Sequence, residues 1–155
     1  MTLDHTTLLF FDASCLIAAS ASPSGGSGFL LSLCGKGQLR GAVSHTVLLE
    51  AERNIQTKMG QRVLDSYHDL LLLVPLMVAP VPNITHRQPW HRIVNSKDHH
   101  VVAASLACGA NYLLSLDRGL NAEVSQASLP LQALTPGQFI KTSLIHHVNY
   151  PSLRT

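Results

Sequence analysis

Charged residues are scarce in this chain. Asp, Glu, Lys and Arg make up 13% of 155 residues, against 46% apolar. That balance argues against a disordered segment and predicts a globular fold. Cysteine is also scarce: Cys15, Cys34 and Cys108 are odd in number, far apart and form no CxxC pair. This argues against a zinc site or a disulfide framework and for reduced, core-packed thiols in a cytoplasmic setting. No apolar run is long enough to span a bilayer, because the strongest, at residues 70–79, is short and broken by Pro75. Asp4 and His5 stand where a secretory signal would be basic. No repeat and no linker is visible. A single domain over residues 1–155 is expected, able to bury roughly two-thirds of its unfolded surface.

Several catalytic signatures are missing too. Gly25-Gly26-Ser27-Gly28 lacks the lysine of a phosphate-binding loop and follows a helix instead of a strand. No GxSxG elbow marks a serine nucleophile. The pairs His99-His100 and His146-His147 are adjacent in sequence, so neither presents two ligands on one helix face. The net charge of +2, with nine histidines, permits binding to a polyanion without demonstrating it.

What is present alternates between strand and helix. Strands are expected at 7–11, 39–43, 76–81, 112–116 and 129–133. Helices are expected at 13–21, from about Ser24 or Ser27 to Cys34, from a Ser44 cap to Lys58, at 61–73, from a Ser96 cap to Cys108, and at 135–143 with Pro136 in the first turn. The stretch 83–94 is ambiguous, although Pro89 argues against a long helix there. Such alternation implies an α/β fold with a parallel sheet covered on both faces.

Within this layout, Asp12, Glu50, Asp98 and Asp117 fall where strand gives way to helix, and the whole chain has only nine carboxylate side chains. Singly each has a bland explanation. Asp12 could cap a helix, Asp98 could serve a helix dipole, Asp117 could sit in a turn, and Glu50 could be a solvated charge, no better placed than Glu52. Together they fall on the sheet edge where parallel α/β proteins bind ligands. Clustered carboxylates there suit a hard cation such as Mg²⁺ or Mn²⁺, and hence metal-dependent phosphodiester hydrolysis.

The ordered set Leu9-Phe10-Phe11-Asp12-Ala13-Ser14, Ser44 with Glu50, Asp98 with Ala103-Ala104 and Gly109-Ala110, and Ser115-Leu116-Asp117 resembles the PIN domain. Ser22-Pro23-Ser24-Gly25-Gly26 and Phe29-Leu30-Leu31 are similar to a loop and helix of VapC-like toxins from bacterial toxin–antitoxin pairs. Thr135-Pro136-Gly137-Gln138-Phe139 is similar to the closing helix. The resemblance spans about residues 7–143 and leaves 144–155 as an extension.

This resemblance implies a three-layer α/β/α sandwich around a mainly parallel sheet of about five strands. It implies an Mg²⁺- or Mn²⁺-dependent endoribonuclease with an RNA substrate, a cognate antitoxin partner and a homodimeric assembly. The catalytic set is then Asp12, Glu50, Asp98 and Asp117, with Asp12, Asp98 and Asp117 as metal ligands, and Glu50 is selected over Glu52. Ser14 would orient Asp12 or a metal-bound water, and Ser115 would do likewise for Asp117. One position departs from the pattern: many relatives carry a further acid where this chain has Gly119, and Asn121 is the nearest polar substitute. That departure keeps a non-cleaving RNA-binding module in view, beside a housekeeping RNA-processing nuclease. Arg53, Arg92, Lys97 and Arg118, close in sequence to the acids, are the candidate RNA-binding cations.

Overall fold

A computed structural model of the chain describes residues 2–83 and 90–153. Five strands, β1 (Leu8–Phe11), β2 (Arg40–Ser44), β3 (Leu76–Ala79), β4 (Tyr112–Leu114) and β5 (Gln132–Leu134), form one sheet in the order β3-β2-β1-β4-β5. Every neighbouring pair is parallel, and Phe10 at the centre pairs with Ala42 on one side and Leu113 on the other. The four residues of β1 are all buried, as a strand covered on both faces must be. Burying Phe10 and Phe11 contributes roughly 1.5–3 kcal/mol each.

Among the described residues, eight α-helices connect and cover the strands: α1 (Ala13–Ala21), α2 (Gly26–Gly35), α3 (His45–Lys58), α4 (Gln61–Leu73), α5 (His99–Ala107), α6 (Arg118–Gln126), α7 (Pro136–Thr142) and the short α8 (Tyr150–Leu153). Helix α1 packs against α2, α3 and α4, whereas α5 packs over β2, β3 and β4. Right-handed crossovers put the α1–α4 layer and α5 on opposite faces, giving the three-layer α/β/α sandwich. Ser44 caps α3 through a 3.1 Å bond from the Val47 N–H, and Thr135 and Gln138 form a reciprocal capping box at α7. Close packing of α2 depends on Gly28, where a Cβ would lie 2.1 Å from the Pro23 carbonyl oxygen.

Some expected boundaries move. Strands β3, β4 and β5 are shorter than the apolar runs that mark them. Neither Ser24 nor Ser27 caps α2; Gly25 holds the N-cap position and no side chain bonds there. Ser96 does not cap the helix after it. The Asn95 side chain accepts from the Lys97 N–H and starts a 3₁₀ turn, Ser96–Asp98, ahead of α5. Residues 84–89, including Pro89, lie outside the described residues. The stretch after α7, which carries no sequence signal, packs back on the molecule. Leu3 bridges to His147, the His147 imidazole donates to the Gln38 carbonyl at 2.7 Å, and Leu153 is buried.

Candidate active site

The chain adds strands on one side of β1, then returns through α5 to add β4 on the other side. That reversal makes a switch point between the C-terminal ends of β1 and β4, where parallel sheets carry their ligand-binding crevice. Phe11 pairs with Leu114 in register, so the next residues of each strand, Asp12 and Ser115, emerge side by side. The Ser115 hydroxyl donates to Asp12 Oδ2 at 2.7 Å and accepts from the Asp117 N–H at 3.1 Å. One buried serine therefore ties both acids to the sheet edge. It does so through the Asp12 carboxylate and the Asp117 backbone, not by orienting the Asp117 carboxylate as the resemblance implies. The other oxygen of Asp12 caps α1 by accepting from the Ala13 N–H at 2.8 Å. Ser14 makes only a long 3.4 Å contact with Asp12 Oδ2, and its oxygen accepts from the Leu116 N–H.

Asp117 caps α6, with Oδ1 accepting from the Leu120 N–H at 3.1 Å. Asn121 is buried, donates to the Ser115 carbonyl at 3.0 Å and leaves its own side-chain oxygen without a partner among the described residues. It thus braces Ser115 from behind. At Gly119, a Cβ would stand 3.2 Å from Asp117 Oδ1, so any side chain there presses on the aspartate.

Asp98 enters from a third element. It holds the N-cap position of α5 and ends the turn begun by Asn95, yet its carboxylate makes no capping bond. The Asn95 N–H donates to Glu123 of α6 at 3.1 Å, joining this turn to the helix that Asp117 starts. Burial pushes the Asp98 carboxyl up to about 6. Lys97 opposes that shift, and the negative charges of Asp12, Asp117 and Glu123 add to it.

Glu50 stands apart. It is exposed, and His100 Nε2 lies 3.9 Å from its carboxylate. Glu52 points elsewhere and meets His68 at 3.0 Å. The neighbouring His99 bonds the His91 and Val94 carbonyls and stacks edge-on against Trp90, so the two adjacent histidines diverge. Nothing in the sequence marks His100 as a neighbour of Glu50, nor Glu123 as a neighbour of the Asp98 turn, because both contacts cross between elements. Arg53, Arg92, Lys97 and Arg118 are all exposed, and Lys97 acts electrostatically on Asp98.

Among the described residues, no three His, Cys, Asp or Glu side chains stand close enough to hold one ion. The donor chemistry nonetheless fits a hard divalent cation. Asp12, Asp98 and Asp117 come from three elements, and none of them has a cationic side chain within 4 Å among the described residues. Burial raises the Asp98 carboxyl first of all, and the charges of Asp12, Asp117 and Glu123 add to that rise.

Residues 9–119 match the family model described as PIN domain, and the chain belongs to that family. No curated protein matches it. Its fold is similar to a chain of VapBC2 from Rickettsia felis, in a structure bound to a DNA fragment from their promoter. The TM-score is 0.62 at 14% identity, over 83% of this chain and 98% of that one. It is also similar to a chain of VapBC-1 from nontypeable Haemophilus influenzae, with TM-score 0.59 and 11% identity over 84% of this chain and 99% of that one. PAE2754 from Pyrobaculum aerophilum gives TM-score 0.53 and 17% identity over 76% and 79%. At these identities the likeness is one of fold.

Proposed function

We propose that this chain is an endoribonuclease of the VapC-like toxin class, dependent on Mg²⁺ or Mn²⁺ and partnered by an antitoxin. The observation that carries this reading is the Ser115 bridge, which ties Asp12 to the Asp117 backbone at the switch point with Asp98 in the field of both. Membership of the PIN domain family supports a nuclease. The likeness to chains of two VapBC structures supports the toxin class and the antitoxin partner. A homodimer working in the cytoplasm belongs to the same reading, and no helix among the described residues is long and apolar enough to cross a membrane.

Asp12, Asp98 and Asp117 would hold the divalent ion, with Glu50 and His100 at the rim. When bound, such an ion neutralises the scissile phosphate and makes hydroxide from water accessible near neutral pH. The chain's own residues do the rest. Ser115 and the Ala13 N–H fix both oxygens of Asp12. The Leu120 N–H holds one oxygen of Asp117 and leaves the other free for binding. Asn121 keeps Ser115 in place. Lys97, Arg92, Arg118 and Arg53 would hold the phosphates of RNA beside an otherwise repulsive acidic crevice.

The test is cleavage of single-stranded and structured RNA with Mg²⁺, with Mn²⁺ and with EDTA. Cleavage that requires metal and is lost in Asp98→Asn supports the reading. RNA binding with no cleavage under any metal would favour the non-cleaving module, for which Gly119 speaks. An adjacent antitoxin reading frame would separate a toxin from a housekeeping nuclease.

A further inference from the structure

Gly119 gives α6 no side chain beside Asp117, yet α6 sends a carboxylate to the turn that carries Asp98. Glu123 lies one turn beyond Gly119, and residues four apart share a helix face. Its carboxylate crosses to the third element of the crevice and accepts the Asn95 N–H at 3.1 Å. Asn95 in turn caps the turn that delivers Asp98, through the 3.1 Å bond from the Lys97 N–H to its side chain. We propose that Glu123 is a positioning residue: it latches the Asn95–Asp98 turn onto the helix that Asp117 begins, and so sets the separation of the two aspartates. Two further observations agree. The Asp98 carboxylate has no capping bond to hold it, so its place depends on the turn beneath it. A side chain at Gly119 would crowd Asp117 Oδ1, whereas Glu123 joins the site without touching Asp117.

The inference rests on the ribonuclease reading for its kinetic consequence, but not for its structural one. Glu123→Ala removes the acceptor; Glu123→Gln keeps an oxygen for the Asn95 N–H and removes the charge. The full chain is assayed for Mn²⁺-dependent RNA cleavage, for Mn²⁺ binding by calorimetry and for hydrogen exchange at the Asn95 amide. Glu123→Ala should lower kcat about tenfold or more with KM within about twofold, since small displacements of catalytic groups are that damaging. It should also weaken Mn²⁺ binding and speed Asn95 exchange. Glu123→Gln should stay within about threefold of wild type in kcat and keep Asn95 protected. An alanine variant equal to wild type in cleavage and exchange overturns the proposal. A glutamine variant as impaired as the alanine variant also overturns it, because charge and not the latch would then matter. If wild type itself does not cleave, the ribonuclease reading falls, and Asn95 exchange alone decides the latch: faster in Glu123→Ala and unchanged in Glu123→Gln upholds it, while unchanged in both overturns it.

Discussion

Ser115 donates its hydroxyl proton to Asp12 at 2.7 Å across a sequence separation of 103 residues. A bond to a carboxylate is worth about 1.5–3 kcal/mol, and this one also orients the group proposed to bind metal. Ser115→Ala should destabilise the protein by about that amount in urea melts. It should weaken Mn²⁺ binding in calorimetry, because Asp12 Oδ2 and the Asp117 N–H both lose their partner. Ser115→Thr, which keeps the hydroxyl, should recover most of both losses. An alanine variant with unaltered metal affinity would show that the bond serves the fold alone.

Asp98 gives the sign of the pH dependence. Its folded-state pKa, about 6, lies above the ordinary 3.8, so the fold prefers the protonated carboxyl. Between these values the native state binds more protons than the unfolded chain, and stability falls as pH rises through about 6. Metal-free protein should therefore lose some stability between pH 4 and about 7, and Asp98→Asn should flatten that slope. In EDTA the asparagine variant should melt as high as wild type or higher. With Mn²⁺ at about 100 times its dissociation constant, wild type should gain roughly 2.7 kcal/mol and the variant much less. A variant that melts lower in EDTA and responds fully to Mn²⁺ would remove Asp98 from the site.

Gly119 offers a gain-of-function test. Gly119→Asp restores the acid found in many relatives, but its Cβ stands 3.2 Å from Asp117 Oδ1 and its charge adds to a repulsive cluster. The metal-free variant should melt below wild type, and its Mn²⁺ affinity, measured by calorimetry, should rise. Gly119→Ala should show the melting loss from crowding without the gain in affinity. Equal metal affinity in Gly119→Asp and wild type would place this position outside the binding set.

The exposed cations can be tested together. Replacing Lys97 and Arg118 by Ala should weaken binding to single-stranded RNA and lower the salt slope by about 0.7 for each phosphate that is no longer neutralised. Binding measured in EDTA over a range of salt concentrations isolates this effect from cleavage. An unchanged slope would make both residues ordinary solvated charges.

Sequence pattern reaches far into this fold. The apolar run before Asp12, the Ser44 cap and the Gly60 break before α4 follow from local propensity and periodicity, and the structure keeps them. Local pattern fails where a distant partner decides. Asn95, and not Ser96, starts the turn before α5 through its side-chain bond to the Lys97 N–H, and its own N–H reaches Glu123 on another helix. The strap after α7 has no periodicity, since its order comes from Leu3 and Gln38. Strands β3 and β4 end earlier than their apolar runs because each stops where the chain must turn into the next segment, whereas β5 starts late, at Gln132, and runs on to Leu134. Of the candidate acids, Asp12 and Asp117 stand just after strands, as their apolar runs suggest, whereas Asp98 ends a 3₁₀ turn and Glu50 lies within α3. The bond from Ser115 to Asp12 could not be read from local pattern, because it depends on the register of β1 against β4, and the brace from Asn121 depends on how the chain turns from β4 into α6.

The strand order sets when the crevice can exist during synthesis. A nascent chain that has made β1, β2 and β3 already has Asp12, but nothing beside it: the central strand still shows an open edge where β4 will dock. Only when β4 pairs with β1 does Ser115 reach Asp12 and Asp117 take its place. Long-range parallel pairing of this kind is slow and late. The edge that joins Asp12 to Asp117 is therefore completed by the second half of the chain.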